Sequence, residues 1–465
     1  MFCEQCGSQI LPGHERCTNC GWEENDQDSE SSQSPHPQPY PQPPPIPDAH
    51  PPLQILGTLL ALYPPVKRPG MFSFLYRIHC PFCNKKFHPS DCAIYSERYD
   101  NQGKHILLEF APQDALQRFV SRFYIKPLDG EHYTMHNARR ECPQCKKLLP
   151  RNFEVDPNFT IAVIGDVASG KSHYITTLLH QLKEGELVQQ GGIRARLTPL
   201  TEEVNVAFKK YEQTVFGERK ALPATRPHIQ SPGDIFDTQE PLIFRLEIGG
   251  VINGQFRNNM MNLIFYDLAG EDITQEHHLR SSGWPILQAQ SIINIIDPLS
   301  IPNILSRLPL GPQVERAQML LSKRPKAHNV LADVIRVYIE YHRGDRQHAV
   351  NAPVAIMLSK SDVLTSIEQQ ISQLPLHLLQ NPTYDGSIDF ADIDQIDKEV
   401  RYLLSTFGEQ ELLRESQRFT NIRFFATSAT GCAPNEYNAF QEIKPRRCLD
   451  PLLWLLWKFA TTMSQ

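Results

Sequence analysis

The chain has 465 residues, and its 46 Lys plus Arg against 52 Asp plus Glu give a formal net charge of −6, so it has no basic excess of the kind that makes a general polyanion binder. At roughly 100 to 200 residues per domain, the length allows two to four domains and excludes a single small module. Hydrophobic residues make up 40%, and the 38 prolines are about 8% of the chain against about 5% in ordinary globular proteins, so part of the chain is expected to lie outside any packed core.

Residues 1–20 read MFCEQCGSQILPGHERCTNC, without the basic start and long apolar run of a secretory signal, and a cytoplasmic protein is expected. The longest apolar runs, 53–63 and 452–456, fall short of the roughly 18 residues that a membrane span requires, so none is expected. Eight of the 11 cysteines form four C-x-x-C pairs, a usage that favours metal over disulfides in a reducing compartment. Cys92, Cys432 and Cys448 are left over and are expected as buried thiols.

Residues 1–22 form the first unit. Cys3, Cys6, Cys17 and Cys20 have the spacing of two turns converging on one tetrahedral ion, in a segment too small to fold on a core of its own, so zinc would supply the folding energy. Residues 23–65 are a linker, acidic over 23–30 and then holding ten prolines between Pro35 and Pro52, a density that favours extended polyproline II. Residues 66–152 read as a second zinc-ribbon unit, β-rich, with alternating runs such as 104–110. Cys80, Cys83, Cys142 and Cys145 would hold its ion, and Lys85, Lys86, Arg139, Arg140, Lys146 and Lys147 could offset the charge of four thiolates. A local alternative uses Cys80, Cys83, His88 and Cys92. Four cysteines leave no open coordination position, so both zinc sites read as structural.

From residue 153 to 465 the pattern changes to short apolar runs separated by helical stretches: 159–164, 242–248, 262–266, 291–296, 353–358 and 422–426. Strands buried on both faces read this way, and the expected class is α/β, a doubly wound, mostly parallel sheet. The insert 301–351 reads as mainly helical, and 449–463 as a helix whose Leu/Trp face packs on the sheet.

Gly165-Asp166-Val167-Ala168-Ser169-Gly170-Lys171-Ser172 fits G-x4-G-K-[ST], between the apolar strand 161–164 and a helical stretch, 172–182. Such a loop wraps phosphates with backbone N–H groups at a helix N-terminus, the lysine neutralises the β- and γ-phosphates, and the serine hydroxyl takes Mg²⁺. Three further motifs end apolar strands, where doubly wound sheets bind ligands: Asp267-Leu-Ala-Gly270, Ser359-Lys-Ser-Asp362 and Thr427-Ser-Ala429.

In the order GDVASGKS, DLAG, SKSD and TSA, residues 159–465 resemble the P-loop GTPases of the translation-factor and Ras-like class. The resemblance implies GTP/GDP and Mg²⁺ as ligands. It places Ser172 and Asp267 at Mg²⁺, the Gly270 N–H at the γ-phosphate, Asp362 and Lys360 at guanine, and Ser428 and Ala429 beside the base. SKSD departs from the usual [NT]-K-x-D at Ser359, which lacks the amide that braces the phosphate loop. Such GTPases also use a switch threonine on Mg²⁺. Among Thr198, Thr201, Thr214 and Thr225 the choice falls on Thr225, in a proline-stiffened Leu-Pro-Ala-Thr-Arg-Pro loop, and Glu271 stands where Ras-like hydrolases carry the water-positioning glutamine. The cysteine units, the long stretch before DLAG and the closing PLLWLLW resemble the bacterial double-GTPase domain proteins, regulatory or defence-associated nucleotide switches. The expected activity is slow GTP hydrolysis, with a protein effector or activating partner docked by the zinc ribbons and nucleic acid as a less favoured partner. The alternatives are an ATP-using NTPase and a non-hydrolysing scaffold stabilised by nucleotide.

Overall fold

The computed structural model describes residues 56–57, 77–88, 91–99, 105–109, 138–151, 153, 156–166, 168–185, 188–189, 193–223, 240–252, 254–267, 286, 289–321, 327–341, 352–371, 376–382 and 389–463. The four cysteines of the first unit, Val167, Thr225, Gly270 and Glu271 lie outside the described residues.

Strands β1 (Ile78–His79) and β2 (Lys86–Phe87) pair antiparallel and frame the first described C-x-x-C turn. Strands β3 (Ile94–Tyr99), β4 (His105–Glu109) and β5 (Ala138–Arg140) form a three-stranded antiparallel sheet that leads into the second. The larger sheet begins with β6 (Asn158–Gly165), followed by helix α1 (Lys171–Lys183), β7 (Val188–Gln189), β8 (Ile193–Pro199), α2 (Glu202–Glu212), and the hairpin of β9 (Leu242–Ile252) and β10 (Gln255–Asp267). Then come β11 (Ser291–Ile296), α3 (Pro312–Leu321), α4 (Ala327–Tyr341), β12 (Val354–Leu358), α5 (Phe390–Thr406), α6 (Gln410–Ser416), β13 (Ile422–Ala426) and α7 (Asp450–Met463).

Eight strands lie in the order β13-β12-β11-β6-β10-β9-β8-β7. The five from β13 to β10 are parallel; beyond β10 the sheet continues in antiparallel pairs. The mostly parallel expectation therefore holds for the centre, and the runs 242–248 and 262–266 turn out to be two arms of one hairpin. Strand β8 was not expected from the sequence. Its residues IRARLTP alternate buried and exposed, which is the signature of a strand wet on one face rather than a fully apolar run.

Strands β11 and β12 are buried along their whole length because both sheet faces are covered. One face packs against α1, α2 and α7, with Phe159 stacked on Phe459 at 4.3 Å and Phe425 beside Trp454 at 5.9 Å. Leu56, within the stretch read as linker, is fully buried in this same core. Each buried Leu or Phe contributes about 1.5–3 kcal/mol, so α7 is an integral layer of the domain. The other face packs against α3 to α6 and also against Ile78, Cys80, Phe87, Cys142, Leu149 and Phe153 of the second cysteine unit. Within the insert 301–351, the described residues are mainly helical, as expected. Among the described residues no helix is long and apolar enough to cross a membrane.

Candidate functional site

Five parallel strands end on one edge of the sheet, and the motifs read from the sequence sit at those ends. Gly165 closes β6 with φ 151°, and a Cβ there would meet the Ile295 carbonyl oxygen at 2.4 Å, so glycine is required by the neighbouring strand. Gly170 caps α1 with φ 94°, a left-handed conformation that is strained for side-chain-bearing residues. Between them Ala168 also takes positive φ, 60°. The loop is thereby wound so that it leads directly into the N-terminus of α1, where the helix dipole and unpaired N–H groups favour an anion.

The Lys171 ammonium is buried and donates to the carbonyls of Gly165 and Asp166 at 3.0 and 2.9 Å. Burial lowers its pKa, opposed by the carboxylates of Asp267 and Asp166. The next residue, Ser172, donates from Oγ to Asp267 Oδ2 at 2.6 Å, joining the start of α1 to the end of β10. Burial raises the Asp267 pKa, against the pull of Lys171 and Ser172, and its Oδ1 is buried with no hydrogen-bond partner. An orphaned carboxylate oxygen beside a serine hydroxyl is an all-oxygen donor set that suits Mg²⁺.

Lys360 follows β12 in the left-handed region, φ 48°. Its ammonium donates to the Ala168 carbonyl at 2.9 Å and pairs with Asp297 at 2.7 Å, so the side chain lies along the glycine-rich loop. Ser359 corrects the expectation of a lost brace. Its hydroxyl lies 2.8 Å from the Ser169 carbonyl and 3.1 Å from that of Ile296, and so ties the loop to β11 in place of the missing amide. Asp362 Oδ1 accepts from Ser428 Oγ at 2.5 Å, and the Gly431 N–H donates to that same hydroxyl at 2.8 Å. The Ala429 carbonyl is held by Thr177 of α1 at 3.1 Å. Residues 168–172, Lys360, Asp362, Ser428 and Ala429 line a single cavity of about 350 Å³.

Two features of this cavity were not read from the sequence. Asp297, one residue past β11, anchors Lys360 and accepts from the Leu299 N–H at 3.0 Å; the signal was an acidic residue following the largely apolar run SIINII and just before a proline. His173 Nε2 accepts from the Leu222 N–H at 3.0 Å, and burial lowers its pKa to about 4, so it is a neutral acceptor at neutral pH. Leu222 sits three residues before Thr225, and its neighbours are bonded to residues 438–440 through Ala221 N to Asn438 O and Phe440 N to Arg219 O. Of the other threonines considered, Thr198 lies in β8, Thr201 caps α2 through the Val204 N–H, and Thr214 bonds the Lys210 carbonyl. All three belong to regular structure.

A second constellation is the cysteine cluster. The sulfurs of Cys80, Cys83, Cys142 and Cys145 all lie within 4.8 Å of one another, with Cys80–Cys145 and Cys83–Cys142 at 3.7 Å. The two turns match: the N–H of Cys80 meets the Lys85 carbonyl and that of Cys142 the Lys147 carbonyl, while Asn84 and Lys146 each take positive φ, 64° and 61°. This group can hold a metal ion. His88 and Cys92 are not part of it; the Cys92 thiol faces the His88 carbonyl at 4.0 Å, so the local alternative is not formed. Several expected counter-charges are engaged elsewhere: Arg139 bonds the Leu148 and Leu149 carbonyls, Lys146 pairs with Glu141 and Lys147 with Glu240. Of the leftover cysteines only Cys448 is buried; Cys92 and Cys432 are half-buried, and Cys432 lines the cavity.

These features define the class: an α/β domain with five parallel strands, a glycine-rich loop at the C-terminal end of the central strand and a cysteine cluster packed on one sheet face. No protein-family model matches the sequence. A candidate ESX-1 scaffolding and assembly protein, SaeC, of Mycolicibacterium smegmatis is 28% identical over 336 residues, covering 69% of this chain and 80% of that protein. Among solved structures, the GTPase-like domain of S. cerevisiae Ski7 bound to GTP is 13% identical, over 66% of this chain and 50% of that one, at a TM-score of 0.26. A sup35 structure complexed with GDP is likewise 13% identical, over 59% and 38%, at 0.21. This chain spans half or less of those solved chains, and likeness at such TM-scores adds nothing to the geometry above.

Proposed function

We propose that the chain is a Mg²⁺-dependent GTP-binding protein that hydrolyses GTP slowly and works as a nucleotide switch, its cysteine units docking a protein partner. The observation that supports this reading is the convergence on one cavity of the glycine-rich loop and the Lys360, Asp362, Ser428 and Ala429 set, with the Ser172–Asp267 pair beside them. In this reading the loop N–H groups from Asp166 to Ser172 cradle the phosphates, and Lys171 trades its loop carbonyls for phosphate oxygens. Ser172 and Asp267 hold Mg²⁺, joined by Thr225 in the triphosphate state, and Mg²⁺ bound there would neutralise charge on the β- and γ-phosphates. Gly270 senses the γ-phosphate, and Glu271 orients the attacking water or accepts its proton.

A second reading, a nucleotide-stabilised scaffold without turnover, draws on the relative named for scaffolding and assembly. Binding of GTP, GDP and ATP to purified protein, followed by phosphate release at saturating GTP, separates the readings. Preference for GTP with measurable release supports the switch; binding without release supports the scaffold; equal binding of ATP moves the assignment to an ATP-using NTPase.

Zinc is the ion proposed for both cysteine units. Zn–S bonds of about 2.3 Å in a tetrahedron put sulfurs about 3.8 Å apart; the Cys80–Cys145 and Cys83–Cys142 pairs are at 3.7 Å, and all four sulfurs lie within 4.8 Å of one another. Protein purified without chelator should carry two zinc ions per chain, with Cys17→Ser removing one. Elemental analysis returning no zinc would overturn the assignment.

A further inference from the structure

We propose that the cysteine cluster acts on the nucleotide site, with Tyr266 as the positioning residue that transmits its state to Asp267. This rests on the reading of Asp267 as a Mg²⁺ ligand.

Tyr266 and Asp267 are the last two residues of β10, paired with Ala162 and Val163 of β6. Successive strand residues face opposite sides of a sheet, and here each side chain is fastened to a different layer. Asp267 turns toward α1 and accepts from Ser172. Tyr266 turns to the other face, where it is 4% exposed and packs in one core with Cys80, Phe87, Cys142, Leu149 and Phe153. Its hydroxyl donates at 2.5 Å to the carbonyl of Pro81, a residue inside the turn Cys80-Pro81-Phe82-Cys83.

The location of that carbonyl depends on the sulfurs. The turn is closed by Cys80 N to Lys85 O, Asn84 N to Cys80 O, and the Phe82 N–H on Cys80 Sγ at 3.4 Å. Four thiolates at these separations hold together only around a cation, so the loaded cluster is the state in which Pro81 is fixed. The unit is also fastened beside β10: Arg245 of β9, which pairs with Asn262, donates to the Arg151 carbonyl at 2.8 Å and meets Asp156 at 2.8 Å. A change at the cysteines, by metal loss or by partner docking, therefore reaches the end of β10 through the Tyr266 hydroxyl on the Pro81 carbonyl. Beyond Asp267 the chain enters the segment that carries Gly270 and Glu271.

Because Asp267 acts on the ion and the glycine-rich loop acts on the phosphates, the coupling has its own signature. Tyr266→Phe keeps the ring in the core and removes only the donor. It should keep its zinc content and its affinity for N-methylanthraniloyl-GTP in Mg²⁺-free, chelator-free buffer. Its Mg²⁺ concentration for half-maximal binding should rise about fivefold, less than the about tenfold or greater loss that follows removal of a ligand's direct hydrogen-bond partner. Cys83→Ser should lose one zinc ion and shift the Mg²⁺ midpoint in the same direction; if it does not fold, Tyr266→Phe alone decides. An unchanged midpoint in Tyr266→Phe, or an equal loss with and without Mg²⁺, overturns the coupling while leaving the nucleotide site intact. A wild-type protein that binds no nucleotide at any Mg²⁺ concentration overturns both.

Discussion

Lys171→Ala is expected to lower GTP affinity by about two orders of magnitude and to abolish phosphate release, while leaving the folded protein close to wild-type stability. The reasons lie in where its ammonium sits. It is 5% exposed and, without phosphate, its charge is met by two loop carbonyls at 3.0 and 2.9 Å rather than by a carboxylate in contact. Burial costs such a cation free energy, as its lowered pKa reflects, so deleting it relieves desolvation even as it releases two carbonyls, and the two effects oppose each other. Binding has no such offset. A charge-assisted hydrogen bond to phosphate is worth about 1.5–3 kcal/mol, and two of them lost correspond to about a hundredfold or more in affinity. Titration calorimetry with GTP and a thermal melt on the same samples test both halves. Affinity within threefold of wild type would remove Lys171 from the phosphate site.

The central part of this fold was legible because its chemistry is local. Buried parallel strands are continuous apolar runs, so 291–296 and 422–426 coincide with β11 and β13 residue for residue, and the motifs follow directly at strand ends. What was not legible depends on partners far apart in sequence. Strand β8 carries its signal as the alternation IRARL rather than as an apolar run, and its partner β9, with Arg196 opposite Glu247, lies far along the chain. Ser359 looked like a deficiency because a side chain's reach cannot be read from its identity; its hydroxyl meets a carbonyl 190 residues away. The role of Asp297 and the burial of the second cysteine unit against the sheet are hidden for the same reason, since Cys80 and Cys142 read as metal ligands and only their packing with Tyr266 reveals them as core. The switch segment gave the weakest signal, because four threonines offered the same hydroxyl and only the placement of Thr198, Thr201 and Thr214 in regular structure narrows the choice.

Asp362→Asn should convert a preference for GTP into one for XTP. Guanine presents N1–H and an N2 amino group side by side, two donors that one carboxylate accepts together, and adenine has no such pair. The carboxylate is held for this by Ser428, whose Oγ–H donates to Oδ1 at 2.5 Å and whose oxygen is itself fixed by the Gly431 N–H at 2.8 Å. That arrangement also decides how an asparagine would sit. Ser428 already accepts from Gly431 and needs an acceptor for its proton, so the Asn oxygen turns to Ser428 and the NH₂ turns to the ligand. A donor aimed at the guanine amino group is mismatched, and GTP affinity should fall more than about tenfold, at least about 1.4 kcal/mol. Xanthine carries a carbonyl at that position and accepts from the new NH₂, so XTP affinity should rise. Competition of GTP, XTP and ATP against a fluorescent GDP measures all three terms. If wild type takes ATP as readily as GTP, or if the variant keeps the wild-type ranking, Asp362 does not read the base, and the cavity is a general nucleoside triphosphate site.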